Sequence, residues 1–167
     1  MFIRENLTSP LMDYIMSFIS SLGDGGLIWI AIGFLFVLNK STRKWGILMW
    51  VSMLMGLIFG NLILKNVVAR IRPCDFYNVA IIIPHPGEFS FPSGHTLSSF
   101  AAALALYRHN KVYGSFALVF ASIIGFTRMY LFVHYPTDIL GGIVMAFVMV
   151  FFAEKTIDFI AGKLKKA

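Results

Sequence analysis

A short polar turn between two apolar runs carries the first residues that could do chemistry. Its sequence is Pro92-Ser93-Gly94-His95. Pro92 does not fit a helix interior, Ser93 is a good helix N-cap, and Gly94 lets a ligand approach the backbone closely. A helix predicted to begin near Thr96 would direct its free N–H groups and its positive dipole end at this turn. The turn therefore predicts an anion-binding site.

A second histidine stands before another predicted helix. His134 precedes Pro136 and lies four residues before Asp138, which is close to one helical turn. Pro136 fits the first helical position, which would place His134 just before the positive end of that helix. A carboxylate at this spacing can hold the proton of one ring nitrogen and leave the other nitrogen free as a nucleophile.

Three basic residues at the borders of apolar runs indicate that the anion is a phosphate. Lys65 and Arg72 come at the end of the longest apolar run, and Arg128 interrupts a later one. Charges in such positions are expensive in a bilayer and are usually functional. Two arginines and a lysine, with amides at a helix start, form a phosphate cradle. One histidine could then attack phosphorus while the other protonates the departing oxygen.

Metal and disulfide chemistry are not expected from the composition. Cys74 is the single cysteine, so an internal disulfide framework and a cysteine-based metal cage are both excluded. Carboxylates are scarce near the candidate residues, and Asp75, Glu88 and Asp138 are the nearest. We therefore predict no metal-ligand cluster beside the phosphate cradle.

Transmembrane helices are the elements that must position these residues. The 167 residues are 58% hydrophobic and only 13% charged, which is more apolar surface than a soluble domain of this size could bury. Strand-type alternation is absent. The predicted fold is therefore all-α, a polytopic membrane helical bundle that forms one domain over residues 1–167. The net charge of +6 does not indicate nucleic-acid binding, because in a membrane protein the placement of charge sets the topology.

The apolar runs predict five or six transmembrane helices, with six favoured. They cover residues 11–22, 27–38, 45–68, 96–107, 115–133 and 139–157. The first run is short for a crossing of roughly 20 residues, so it either spans the bilayer or lies in the interface. Residues 70–92 contain four prolines and should not form one helix.

The distribution of basic residues predicts an orientation. Residues 39–44, a predicted loop at 108–114 and the C-terminal tail hold most of the Lys and Arg, and they lie on one side of the layout. The positive-inside rule makes that side cytoplasmic. The turn with His95 and the segment with His134 would then face outward.

The order and spacing of the candidate residues resemble the three-part signature of the type 2 phosphatidic acid phosphatase superfamily. These are the lipid phosphate phosphatases, which share a core with the vanadium haloperoxidases. The matching parts are Lys65 with Arg72-Pro73, then Pro92-Ser93-Gly94-His95, then Arg128 with His134 and Asp138. Together they cover nearly half of the chain. Thr127 replaces the serine that usually precedes the arginine, and it keeps a hydroxyl.

The resemblance implies a role for each matched residue. His134 would be the nucleophile that forms a phosphohistidine, Asp138 would orient it, and His95 would protonate the leaving group. The phosphate and its transition-state charge would be held by Lys65, Arg72, Ser93, the Gly94 amide and Arg128. The family works without metal, and no cofactor is expected.

Three residues outside the signature receive no catalytic role. Arg70 is expected to be a surface residue or a contact behind the site. His85 and His109 are expected to be loop histidines.

The function that the resemblance implies is removal of a terminal phosphate from a membrane lipid phosphate or diphosphate, in the plasma membrane of a bacterium. Undecaprenyl diphosphate is the favoured substrate, with phosphatidylglycerol phosphate second and phosphatidic acid third. The preference rests on the family's bacterial members of this size and not on a particular residue. Two alternatives of other classes are a lipid phosphotransferase that uses His134 and a lipid transporter with a vestigial site.

Overall fold

Helices account for most of the chain in a computed structural model that describes residue 3 and residues 6–164. They are α1 (Pro10–Leu22), α2 (Leu27–Leu38), α3 (Arg43–Met55, extended by a π-helical segment Gly56–Leu64 and a last turn Lys65–Val68), α4 (Pro73–Phe76), α5 (Gly94–His109), α6 (Lys111–Tyr130) and α7 (Pro136–Leu164). The described residues include no strand. The prediction of an all-α bundle is confirmed.

Polar caps start three of the helices. The Ser9 side chain accepts a hydrogen bond from the Met12 amide at the start of α1, and the Ser93 side chain caps α5. Asn110 caps α6 in the same way and is the single residue between α5 and α6. The predicted loop over residues 108–114 is therefore wrong, because one extended residue is enough to end one helix and start the next.

Three helical stretches are long and apolar enough to cross a bilayer: Arg43–Phe76, Lys111–Tyr130 and Pro136–Leu164. Helices α1 and α2 pass the same test as a pair, although a bend of 42° separates them. By length and composition the described residues thus provide three spans, or four if the bent pair counts as one. The expected five or six spans stay a prediction.

Helix α5 lies at the centre of the bundle, where it packs against α3, α6 and α7. Its residues 99–106 are all buried. Gly56 and Gly60 of α3 make room for Leu97 of α5, since a Cβ at Gly60 would lie 2.2 Å from Leu97 Cδ2. The small-residue spacing in α3 therefore serves close helix packing. Close packing of this kind fixes the turn at the start of α5 in the middle of one end of the bundle.

Most of the predicted site residues collect at that end. Helices α3 and α6 end there, whereas α5 and α7 begin there. At the opposite end, His109 stacks on Trp45 with ring centroids 6.0 Å apart, which shows that α5 ends beside the start of α3. The basic segments around Arg43 and Lys111 belong to this second end. The tail residues Lys165 and Lys166, which also supported the predicted orientation, lie outside the described residues.

Candidate active site

A cavity of about 740 Å³ brings most of the predicted site residues together. Six of them line it: Lys65, Arg72, Gly94, His95, Arg128 and His134. The remaining two, Ser93 and Asp138, are fully buried and do not line the cavity. The signature that is spread over Lys65 to Asp138 is thus one compact site in space.

Two residues with left-handed backbone conformation turn the chain into this site. Ala69 has φ of 47°, and its N–H donates to the Lys65 carbonyl at 3.0 Å, which ends α3 and redirects the chain toward Arg72. Phe132 has φ of 60° just before His134. Non-glycine residues rarely adopt this conformation, and such strain is typical of functional sites.

His134 presents an unprotonated ring nitrogen toward Arg72. Arg72 Nη1 lies 3.1 Å from His134 Nε2, and because a guanidinium has no acceptor, Nε2 must be the nitrogen that accepts. The other ring nitrogen, Nδ1, faces Asp138 Oδ2 at 3.5 Å. Burial lowers the pKa of His134 to about 3, the cations Arg72 and Arg128 act in the same direction, and the hydrogen bond with Asp138 opposes them. The imidazole is therefore neutral, which is the form that a nucleophile needs.

Asp138 is held from several sides. Its Oδ1 accepts from Arg70 Nη1 at 2.8 Å, and its Oδ2 accepts from Ser90 Oγ at 2.5 Å and from the Tyr135 amide at 2.9 Å. Arg70 also stacks over the Tyr135 ring, 4.0 Å from its centroid. Of the two expectations for Arg70, the contact behind the site is the one that the structure shows. Ser90 was missed, because nothing in the sequence links it to a residue 48 positions later.

Two of the three cations already have anionic or carbonyl partners. Lys65 Nζ lies 2.5 Å from Glu88 Oε2, and this hydrogen bond lowers the pKa of the Glu88 carboxyl. Arg72 donates from Nε to the Glu88 carbonyl at 2.7 Å and from Nη1 to the Val133 carbonyl at 2.9 Å. Glu88 is a second residue that the sequence did not single out.

Arg128 keeps an unpaired donor. Its Nη1 donates to Ser20 Oγ, but its Nε has no hydrogen-bond partner. Among buried side-chain nitrogen and oxygen atoms of the described residues, Asn61 Oδ1 is the other one without a partner. Both residues line the cavity. A buried donor without a partner is unfavourable by about 1–3 kcal/mol, so a ligand that satisfied it would gain affinity.

The turn at the start of α5 supplies a helix cap, Ser93, and a residue that lines the cavity, Gly94. Ser93 Oγ accepts from the Thr96 amide at 3.4 Å and from Thr96 Oγ1 at 3.0 Å, so its hydroxyl is directed at the helix. Gly94 lines the cavity, where a Cβ would lie 2.9 Å from Asn61 Nδ2. The missing side chain at Gly94 therefore makes room for Asn61, and the phosphate contacts of Ser93 and of the Gly94 amide stay predictions.

His95 has a partner that the sequence argument missed. Its Nε2 lies 2.8 Å from Oδ1 of Asp24, a residue 71 positions earlier in the turn between α1 and α2. The imidazole side chain is 19% exposed and the carboxylate 64% exposed. The sequence offered a signal in the run Gly23-Asp24-Gly25-Gly26, where one carboxylate stands among three glycines.

A separate polar cluster lies outside the cavity lining. Cys74 Sγ, Asp75 Oδ1 and His85 Nε2 all lie within 4.8 Å of one another. These are ligand types that zinc accepts, and sequence reasoning did not anticipate the grouping because it looked for several cysteines. His85 and Asp75 are 2.6 Å apart, so a hydrogen bond between them accounts for their approach without a metal. His109 does not line the cavity, but it is the last residue of α5, so its prediction as a loop histidine is wrong.

A neutral imidazole nitrogen beside three cations, set in an apolar helical bundle, defines a class of protein: a membrane protein that transfers or hydrolyses phosphate groups. Residues 45–159 match the family model of the PAP2 superfamily, and the chain belongs to this family. The resemblance noted in the sequence is confirmed.

Named relatives and a solved structure agree with this assignment. The chain is 32% identical over 130 residues to an undecaprenyl-diphosphatase of Sulfolobus acidocaldarius, covering 77% of this chain and 62% of the relative. It is 29% identical over 143 residues to undecaprenyl-diphosphatase BcrC of Bacillus subtilis, covering 86% and 74%. The crystal structure of a transmembrane PAP2-type phosphatidylglycerolphosphate phosphatase from Bacillus subtilis is similar with a TM-score of 0.72 and 29% identity, covering 92% of this chain and 80% of that one. The two relatives and the solved structure are named as phosphatases, and the chain spans less than two thirds of the length of the first relative.

Proposed function

We propose that the protein is an integral membrane phosphatase that removes the terminal phosphate of a lipid phosphate or diphosphate through a phosphohistidine at His134. The observation that carries this proposal is the neutral His134 Nε2 at the wall of a cavity that Lys65, Arg72 and Arg128 also line. Cations in these positions neutralise a phosphate and the charge that develops on it in the transition state.

The proposed reaction follows from the contacts. A bound phosphate takes over the Arg72 guanidinium and the free Arg128 Nε–H, which releases the lone pair of His134 Nε2. This nitrogen attacks phosphorus, the bond from phosphorus to the leaving oxygen breaks, and His95 gives its proton to that oxygen. Water then attacks phosphorus and gives a proton to His95, the bond between phosphorus and His134 Nε2 breaks, and inorganic phosphate leaves. Asp138 holds the Nδ1–H of His134 throughout, as in other oriented histidines.

The cavity also has an apolar arm, which supports a lipid substrate. Its lining includes Ile30, Met53, Leu54 and Leu57, from α2 and α3. Ile30, Leu54 and Leu57 are also exposed on the outer surface of the bundle. The arm thus connects the phosphate site with the surface that lipid covers, and an acyl or prenyl chain can extend from one to the other.

Within this class we propose undecaprenyl diphosphate as substrate, in the plasma membrane of a bacterium, with the cavity facing outward. Two relatives named undecaprenyl-diphosphatase support the substrate. The basic ends of the bundle around Arg43 and Lys111, opposite to the cavity, support the orientation. The proposal treats residues 1–167 as a single catalytic domain.

Phosphate release from a panel of substrates tests the proposal. Purified protein in detergent is given undecaprenyl diphosphate, phosphatidylglycerol phosphate, phosphatidic acid and the short, soluble isopentenyl diphosphate. We expect the highest kcat/KM for undecaprenyl diphosphate and the lowest for the short diphosphate, which cannot fill the apolar arm. Equal rates on the long and short diphosphates would contradict a lipid substrate. Label appearing on an added alcohol, instead of as free phosphate, would identify a phosphotransferase.

A substitution in the apolar arm tests whether this part of the cavity binds the lipid chain. Leu54→Trp should narrow the arm and lower kcat/KM for the lipid about 10-fold or more, while hydrolysis of isopentenyl diphosphate stays unchanged. Phe147→Trp, a change on the exposed surface of α7, is the matched control. Loss of both activities in Leu54→Trp would argue against a role confined to the lipid chain.

A further inference from the structure

The turn between α1 and α2 brings one carboxylate to the histidine that starts α5. Asp24 Oδ1 lies 2.8 Å from His95 Nε2. The turn belongs to neither the signature nor the family match, which begins at residue 45. The contact is therefore a feature of this chain that family membership does not assign.

The glycines around Asp24 make this approach possible. A Cβ at Gly23 would lie 2.9 Å from His95 Cδ2, so the chain passes directly along the edge of the imidazole. Gly25 and Gly26 have φ of 57° and 70°, which favour glycine. The bend of 42° between α1 and α2 falls at this turn. Sequence and backbone together thus place a single carboxylate against the ring.

The other charges around His95 are mostly cationic. Burial lowers the pKa of His95 to about 4, and Arg128 from α6 and Lys65 from α3 act in the same direction, whereas the hydrogen bond and the charge of Asp24 raise it. Glu88, from the segment before α5, also interacts with His95, although it already pairs with Lys65. An anion close to the ring therefore opposes the loss of the proton that burial and these cations favour. Asp24 is the carboxylate in hydrogen-bonding contact with it.

We propose that Asp24 is a positioning residue for His95. Its carboxylate accepts the Nε2–H, which leaves Nδ1 as the ring nitrogen that faces the substrate. In the bond-breaking step the Nδ1 proton moves to the leaving oxygen, which receives the electron pair of the broken phosphorus–oxygen bond. His95 becomes neutral with its Nε2–H still held by Asp24. This inference rests on the proposed phosphatase function.

Kinetics of Asp24 variants test the proposal. Asp24→Asn should lower kcat/KM about 10-fold on an alkyl phosphate lipid such as phosphatidic acid, and it should move the alkaline limb of the pH profile to lower pH. The effect on an aryl phosphate such as p-nitrophenyl phosphate should be smaller, because its leaving group departs without a proton. Asp24→Glu should restore most of the activity. Asp158→Asn, an exposed change in α7, is the matched control and should behave as the unchanged protein.

A double variant separates a role through His95 from a purely structural one. If Asp24 acts through His95, adding Asp24→Asn to His95→Gln should cause no further loss. A full additional 10-fold loss in the His95→Gln background, or an alkaline limb that does not move in Asp24→Asn, would overturn the proposal.

An NMR titration keeps this proposal distinct from the proposed phosphatase function. Ring signals of His95, assigned with His95→Gln, should titrate at lower pH in Asp24→Asn than in the unchanged protein. Absence of phosphate release from every substrate would reject the phosphatase function alone. An unchanged His95 titration in Asp24→Asn would reject the Asp24 proposal alone.

Discussion

Two histidine–aspartate pairs meet at the cavity, and they are built in opposite ways. His134 and Asp138 lie four residues apart, and their side chains are 2% and 0% exposed. His95 and Asp24 lie 71 residues apart, and the Asp24 carboxylate is 64% exposed. The buried pair has fixed hydrogen bonds and little access to water, whereas the second pair touches solvent.

The difference in burial suits the two roles that we propose. A nucleophile must stay neutral, and burial together with neighbouring cations keeps His134 neutral. Burial also lowers the pKa of His95, to about 4, and its contact with the exposed Asp24 carboxylate acts in the opposite direction. The surroundings of the two rings thus differ most in the exposure of the aspartate partner.

The largest expected effect comes from removing the nucleophile. His134→Ala should lower phosphate release by at least about 10³-fold, because the proposed phosphohistidine cannot form without this imidazole. The variant should still fold, which thermal unfolding in detergent can check. His109→Ala, at the opposite end of the bundle, is the control and should keep its activity. Near-normal turnover of His134→Ala would break the comparison, because the buried pair would then have no catalytic role.

The two aspartates should differ in importance. Asp138→Asn should reduce kcat about 10²–10³-fold, more than Asp24→Asn, because the buried amide would mispair with Ser90 and the Tyr135 amide and would misorient His134. It should also lower the free energy of unfolding by about 1–3 kcal/mol. Steady-state kinetics and chemical denaturation measure both effects. Equal losses for Asp138→Asn and Asp24→Asn would show that burial does not separate the two pairs.

The protonation of His134 should depend little on pH near neutrality. Because its pKa is lowered to about 3, the ring should stay neutral as the pH falls through 6.5, the ordinary value for histidine. An NMR titration should show no protonation of His134 between pH 7 and pH 5, with the signal assigned from His134→Ala. Protonation near pH 6.5 would mean that the ring is solvated and that the proposed difference between the pairs does not exist.

The smallest expected effect is that of a chelator. The carboxylates nearest to the cavity are each paired with a basic side chain: Glu88 with Lys65, Asp138 with Arg70, and Asp24 with His95. The cations already present can hold the phosphate, so EDTA should leave the rate unchanged. A loss of activity that magnesium restores would indicate a metal ion in the cavity. It would contradict the roles proposed for His134 and His95. Cys74→Ser, tested alongside, would reveal any contribution from the outer cluster with Asp75 and His85.

Local sequence patterns were sufficient to predict where some of the helices begin. The helix start at Ser93 was predictable because capping depends on neighbouring residues. The wrong loop at residues 108–114 has a similar cause. Sequence polarity suggested a connection, but a single extended residue, Asn110, is enough to separate two helices.

Sequence patterns identified the chemical groups of the site and the one histidine–aspartate pair whose members are close along the chain. The three-part signature identified the family, and the four-residue spacing placed Asp138 beside His134 because a helix brings such neighbours to one face. Only the tertiary structure decided which distant residues support these groups: Arg70 and Ser90 on Asp138, Glu88 on Lys65, and Asp24 on His95. These contacts depend on how α3, α5, α6 and α7 pack and on the bend between α1 and α2. No local period in the sequence encodes that packing.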